Sequence, residues 1–230
     1  MKVKRKKHKE AGLPKLEEET GIDEAAEELQ QFLLLNSSQP EEEPRVRMIS
    51  LFGEVEEERA SELCFSMVAL KEMGRREALE DPEDIDSPII TTYDPFTFSL
   101  STYGGSAVEM FAIYDTMRMI RQDCEIHTFG LGKVMSAGVL LLAAGTKGKR
   151  KIGKNCRVML HSVIGGSHGS IHNLENEMEE IRYLQEQHIK CLIEETDMTK
   201  RYLNKLLNRK MNVYLTAEEA VELGIADEVV

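Results

Sequence analysis

From residue 45 onward, short β-type runs alternate with stretches whose apolar residues recur every three or four positions, and this alternation constrains the chain more than any single motif. A chain that keeps switching between a period near 2 and a period near 3.6 must lay helices against a sheet, so the expected class is α/β. Strands are expected at residues 48–52, 96–101, 125–130 and 157–161. Helices are expected at residues 57–73, where Ala60, Leu63, Cys64, Met67 and Leu70 share a face, and at 106–121 through Met110, Ile113, Tyr114 and Met117. Residues 80–95 are acidic and punctuated by Pro82, Pro88 and Pro95, so they read as a loop or irregular excursion. A compact apolar helix follows the glycine-flanked turn after residue 130, and residues 146–154 read as a polar hairpin. The glycine-punctuated stretch 165–170 leads into a long helix, residues 173–195, whose acidic face carries Glu175, Glu177, Glu179 and Glu180. Thr216 and Glu219 match a capping box, which predicts a helix over 217–223 ended by Gly224.

Residues 1–45 have a different texture: a basic run through Lys9, an acidic stretch with an apolar patch at 32–35, and a proline-flanked loop. Such blocky charge rarely builds a core, so these residues are expected to form a mobile tail with one marginal helix near 24–35, or a removable pro-segment or docking arm. Residues 46–230 are expected to form one domain, which fits 230 residues of which 41% are apolar. A formal charge of -12 would repel a phosphate backbone, so nucleic acid is excluded as the main partner. Cys64, Cys124, Cys156 and Cys191 are too far apart for zinc-ligand spacing or a CxxC pair and read as reduced, buried thiols. The longest apolar run, 137–145, is far short of the roughly 20 residues that span a bilayer, and no signal-type stretch follows the basic start. No membrane association and a cytoplasmic setting are the expectations.

Three local features could carry chemistry. Ser136 lies in Gly130-Leu-Gly-Lys-Val-Met-Ser-Ala-Gly138, a turn between a strand and an apolar helix, where a hydroxyl and the following amides point at one helix N-terminus. The bland alternative is a serine that caps that helix. Its spacing from Gly132 does not fit the strained GxSxG elbow. His161 ends a strand, where a side chain leaves the sheet edge for the crevice in which open α/β folds hold ligands, although a strand-end histidine is more often structural. Gly104 and Gly105 follow a strand and open a helix, which either lets backbone amides approach a ligand closely or simply lets the chain turn.

Taken in order, residues 49–55, Gly104-Gly105 with Ala112-Ile-Tyr-Asp-Thr-Met117, the Gly130–Gly138 turn with 140–145, Arg157-Val-Met-Leu-His161, Gly165-Gly166 with Gly169, and 215–220 with 224–227 resemble the proteolytic subunit of the Clp protease, the ClpP family of serine peptidases. The resemblance covers roughly residues 45–230. It implies a crotonase-like spiral α/β fold of repeated β-β-α units, assembled as a homo-oligomer of stacked heptameric rings around a closed chamber. It implies that Ser136 is the nucleophile, His161 its general base, and the amides of Gly105 and Ala137 the oxyanion hole. It also implies that residues 165–195 form the strand–helix handle that joins the rings. The implied partners are an AAA+ unfoldase and unfolded polypeptide substrates, and no cofactor is implied. No GxxxxGK[ST] loop is present, so ATP would be used by another protein.

The sequence departs from the family at several points. The usual triad aspartate corresponds to Asn212, with Asn208 a weaker candidate. An asparagine carbonyl can fix a histidine tautomer, but it brings no charge, and in a trypsin-like triad the same exchange costs about 10⁴-fold. Tyr103 stands where the family has proline, removing a fixed φ, and Lys210-Met211 replaces an acid–arginine pair. Lys133, three residues before Ser136, would serve a Ser–Lys dyad only if the turn brought the two side chains together. Two other functions compete with the peptidase: a catalytically weak subunit that shapes a ring, favoured by Asn212, and a crotonase-type acyl-CoA enzyme, disfavoured by the Ser136 and His161 pair.

Overall fold

A computed structural model of the chain describes residues 46–84, 86–207 and 212–230. The expected tail, Asn208 and the Lys210-Met211 pair lie outside the described residues. The chain alternates strands and helices as β1 (Met48–Val55), α1 (Glu57–Met73), β2 (Arg75–Leu79), β3 (Ile89–Tyr93), β4 (Phe96–Gly105), α2 (Ala107–Ile120), β5 (Ile126–Met135) and α3 (Ala137–Ala143). It continues through β6 (Arg150–Ile152), β7 (Arg157–Leu160), α4 (Ile171–Glu195), α5 (Lys200–Leu207), β8 (Val213–Leu215), α6 (Ala217–Glu222) and β9 (Glu228–Val229).

The main sheet runs β1-β4-β5-β6-β9 with every pair parallel, and β7 joins β5 in parallel while pairing β8 antiparallel. β5 divides its edge between two neighbours. Its first half, Thr128 to Gly130, pairs β6, and its second half, Lys133 to Met135, pairs β7. The β4–β5 register shifts between Leu100 and Thr102 and the β1–β4 register between Gly53 and Glu54, so the strands bend at neighbouring levels.

β4 reads as the central strand it is: Phe96, Phe98, Ser99, Leu100, Ser101 and Thr102 are all buried. α2 covers the sheet with Met110, Ile113, Tyr114, Met117 and Ile120, the face expected from their spacing. α1 buries Ala60, Leu63 and Met67, with Glu57 and Glu58 at its start and Lys71 at its end, a charge order that suits the helix dipole. α3 is apolar all round, and all seven of its residues are buried. The capping box at Thr216 and Glu219 is formed in both directions. The four cysteines are free; Cys124 and Cys156 are buried while Cys64 and Cys191 are half-buried, and burial pushes the Cys156 thiol up to about 11.

Three expectations require correction. Part of the stretch 80–95 is regular: β3 pairs antiparallel with β2 from Arg75↔Tyr93 to Leu79↔Ile89. Pro82 and Pro88 fall in the connection and Pro95 beyond β3, so none removes a ladder amide, and the Ile89-Ile-Thr-Thr-Tyr93 run has the β-branched and aromatic character of a strand. Residues 146–154 are not a hairpin, since β6 lies between β5 and β9 in parallel. The long helix begins two residues earlier than expected, at Ile171, with Ser170 accepting a capping bond from the Asn173 amide.

The misread strand holds an unusual core residue. Arg150 is 3% exposed, yet its guanidinium is fully engaged: it pairs with Asp227 and donates to the carbonyls of Ala143, Glu195 and Gly224. The Glu195 carboxylate, also buried, accepts from both terminal nitrogens of Arg121 and from the Tyr114 hydroxyl. Burial acts to raise the Asp227 and Glu195 carboxyls, but these arginine and tyrosine hydrogen bonds outweigh it and hold both below the ordinary range. The network ties the ends of α3 and α4 to the C-terminal segment. Replacing Arg150 by methionine should strand Asp227 and three carbonyls and destabilise the fold by about 3–5 kcal/mol, read as a lower urea midpoint. Because the Asp227 carboxyl is depressed in the folded state, its contribution is present above the ordinary carboxylate range and lost as pH falls. The variant should therefore also lose part of the wild type's acid-side decline in stability.

Candidate active site

The bend in β5 decides where Ser136 lies. Met135 pairs with Met159 of β7, and the Ser136 amide donates to the Met159 carbonyl at 2.8 Å, so the residue after β5 is clamped beside the end of β7. His161 follows β7 directly. Both side chains thus emerge at the C-terminal edge of parallel strands, the position where open α/β sheets hold ligands.

Ser136 has φ 53° and ψ −120°, the only positive φ outside glycine among the described residues. Such a conformation costs on the order of 1–3 kcal/mol and persists only where the surroundings impose it. Here β5 pairing fixes the residue before, and the fully buried α3 fixes the residues after. The turn is strained even though the GxSxG spacing is absent, as the sequence indicates. The capping alternative fails: Ser136 occupies the N-cap position of α3 but makes no side-chain cap. Its Oγ lies 2.7 Å from His161 Nε2 instead.

His161 is half-buried, and burial lowers its pKa below the ordinary histidine value, which favours the neutral ring. With the ring proton on Nδ1, Nε2 accepts from the Ser136 hydroxyl and can take its proton during attack on a carbonyl. Gly104 and Gly105 pass directly against this pair. Gly104 has φ 101°, and a Cβ there would stand 2.5 Å from Ser136 Cβ; at Gly105 a Cβ would meet the Val55 carbonyl oxygen at 2.2 Å. Only glycine fits either position. The Gly104 amide donates to the Thr102 hydroxyl at 2.9 Å, which holds the loop despite the absence of a proline at Tyr103. Ala137 opens α3, where an amide has no partner within the helix. Gly105, Ala137, Ser136 and His161 line one cavity of about 290 Å³.

The other candidates are not brought into this contact. Lys133 places its Nζ 4.5 Å from the Tyr103 ring centroid, a cation–π arrangement rather than a Ser–Lys dyad. Asn212 is exposed and makes no hydrogen bond to His161 among the described residues. The β7–β8 register runs Val158↔Leu215, Met159↔Tyr214, Leu160↔Val213, and one further step sets Asn212 opposite His161. Asparagine is therefore placed at the right level without being engaged. A residue the sequence reading missed, His188 of α4, also lines the cavity and is 4% exposed. The available signal was its spacing of four from Leu184 and Leu192, which puts an imidazole in the apolar stripe of an otherwise acidic helix.

Residues 91–230 match the family model described as Clp protease. The ATP-dependent Clp protease proteolytic subunit 1 of Corynebacterium jeikeium (strain K411) is 32% identical over 186 residues, which cover 81% of this chain and 88% of that protein. The proteolytic subunit 2 of the same organism is 33% identical over 184 residues, covering 80% of this chain and 78% of the relative.

The burial of His161 has a measurable consequence. Proton acceptance requires the neutral ring, so the reaction of Ser136 with an organophosphorus probe should hold its rate as pH falls through 6.5 and decline only below it. An acid limb centred above pH 6.5 in a rate–pH profile would contradict the environment described for this ring.

Proposed function

Since the chain belongs to the Clp protease family, we propose that it is a serine endopeptidase that cleaves unfolded polypeptides inside a ring-shaped chamber. The 2.7 Å contact between the hydroxyl of a strained Ser136 and His161 Nε2 carries the reading. In it, Ser136 Oγ attacks the scissile carbonyl as His161 takes the hydroxyl proton, the Gly105 and Ala137 amides receive the oxyanion, and His161 returns the proton to the leaving amine. Water then hydrolyses the acyl-serine by the same groups in reverse. Loss of one oxyanion donor would cost on the order of 100–1000-fold in rate.

The wider assembly follows the family: a crotonase-like superhelical subunit in two stacked heptameric rings, fed by an AAA+ unfoldase that consumes the ATP. α4 suits the handle of such a ring, because the buried residues along its 25 positions are His188, Ile189, Leu192 and Glu195, while residues 171–180 are all exposed. In this reading Asn212 is the orienting residue for the His161 ring.

A fluorophosphonate should label Ser136 covalently, and Ser136→Ala should abolish both labelling and hydrolysis of a fluorogenic peptide; labelling that survives the substitution would defeat the assignment. Asn212→Asp should raise kcat by at least about tenfold, because a carboxylate opposite His161 both fixes the tautomer and stabilises the imidazolium. The alternative, a weak ring-shaping subunit, would be favoured by unmeasurable turnover in both proteins despite intact rings in electron micrographs.

A further inference from the structure

The cavity beside Ser136 carries a polar group that neither the fold nor the proposed triad uses. His188 projects from α4 next to Ile189 and Leu192 and, with Met110, Val163 and Ile164, lines the same space as Ser136 and His161. Its Nε2 is buried without a hydrogen-bond partner, and the ring makes no hydrogen bond among the described residues. A buried polar atom left in that state destabilises the fold, and leucine at the same place would avoid the loss. The fold gains nothing from the imidazole, whereas the residue lines a cavity that another molecule can enter.

The chemistry of the entrant follows from the ring. Burial, with His161 nearby, pushes its pKa down to about 4, so at neutral pH it presents one N–H donor and one lone-pair acceptor and no charge. A carboxamide can pair with either ring nitrogen, its oxygen accepting from the N–H or its NH₂ donating to the lone pair. A carboxylate supplies only acceptors and would bring its charge into a cavity whose lining residues include no charged side chain. Met110, Val163 and Ile164, which line the same cavity, suit an aliphatic stem.

We infer that His188 is a specificity-determining residue, hydrogen-bonding the side chain of the substrate residue that supplies the scissile carbonyl, so that the cavity selects glutamine over aliphatic residues of the same length. The inference rests on the peptidase reading above. A site built to pair with a polar group rejects analogues lacking it because its own buried atom then stays unpaired.

The test uses three fluorogenic peptides that differ only in glutamine, methionine or glutamate before the scissile bond, with wild type, His188→Leu and His188→Gln. The wild type should prefer glutamine over methionine by about tenfold or more in kcat/KM. His188→Leu should bring that ratio to one or below by slowing the glutamine peptide and speeding the methionine peptide. His188→Gln should restore part of the preference. A merely structural role would change all three peptides together and leave the ratios alone, so unchanged ratios in a folded His188→Leu protein overturn the inference. A wild-type preference for methionine or glutamate overturns it too. His188→Met serves as the second apolar variant should His188→Leu not fold. If Ser136 reacts with the fluorophosphonate and the ratios fail, His188 alone is misassigned; if no peptide is cleaved and no label forms, the peptidase reading fails and the subsite with it.

Discussion

The transfer of β5 from one neighbour to another organises the molecule. Were β5 to continue along β6 past Gly130, its end would point away from β7 and Ser136 would be separated from His161. Its second half pairs β7 instead, and the Met135↔Met159 register leaves Ser136 and His161 as the first residues beyond two adjacent parallel strands. Pairing on one side and the buried α3 on the other leave Ser136 no relaxed backbone, so the strain at φ 53° is imposed by two elements that each have their own reason to be where they are. The glycine pair at the end of β4 completes the arrangement, because the third adjacent strand can run this close only without a Cβ.

The buried charges hold the other wall. Arg150 and Glu195 lie in the interior because each is saturated with partners, and those partners are drawn from β4's covering helix, α3, α4 and the C-terminal segment. Buried ion pairs of this kind are weak contributors to net stability and costly to break. Their effect here is positional: Glu195 closes α4 two turns after His188, so fixing that carboxylate fixes the face on which His188 stands.

Much of this was legible in the sequence, and the failures have separate physical causes. The helix faces of 57–73 and 106–121, the capping box at Thr216, and the placement of Ser136 and His161 at strand ends follow from periodicity and chain order alone. The strain at Ser136 was not legible because it arises from what surrounds the turn, and the familiar spacing that accompanies such strain elsewhere is absent. β6 was misread because an arginine and a lysine are two of its three residues, and a buried guanidinium gives no hydrophobic signal. β3 was hidden by prolines that bound it without interrupting it. His188 was passed over because polar residues are expected on an acidic helix, and only its register with Leu184 and Leu192 separates it from the solvated ones.

The site that results is uncharged in its resting state. Burial favours neutral His161, burial keeps His188 neutral, and the triad position holds an amide rather than a carboxylate. On the peptidase reading proposed above, with no fixed anion to stabilise an imidazolium, charge separation during attack on a carbonyl would be met almost wholly on the oxyanion side, by the amides of Gly105 and Ala137. The tight fit of Gly104 against Ser136 and the complete burial of α3 would hold such donors in place, which is the condition under which they act without reorganising. An uncharged cavity is also one in which a neutral hydrogen-bonding side chain can be told from an aliphatic one, because no stronger field competes with a single imidazole. On that reading the asparagine and the buried histidine are consistent with each other: both would move the work of the site from charge to oriented dipoles.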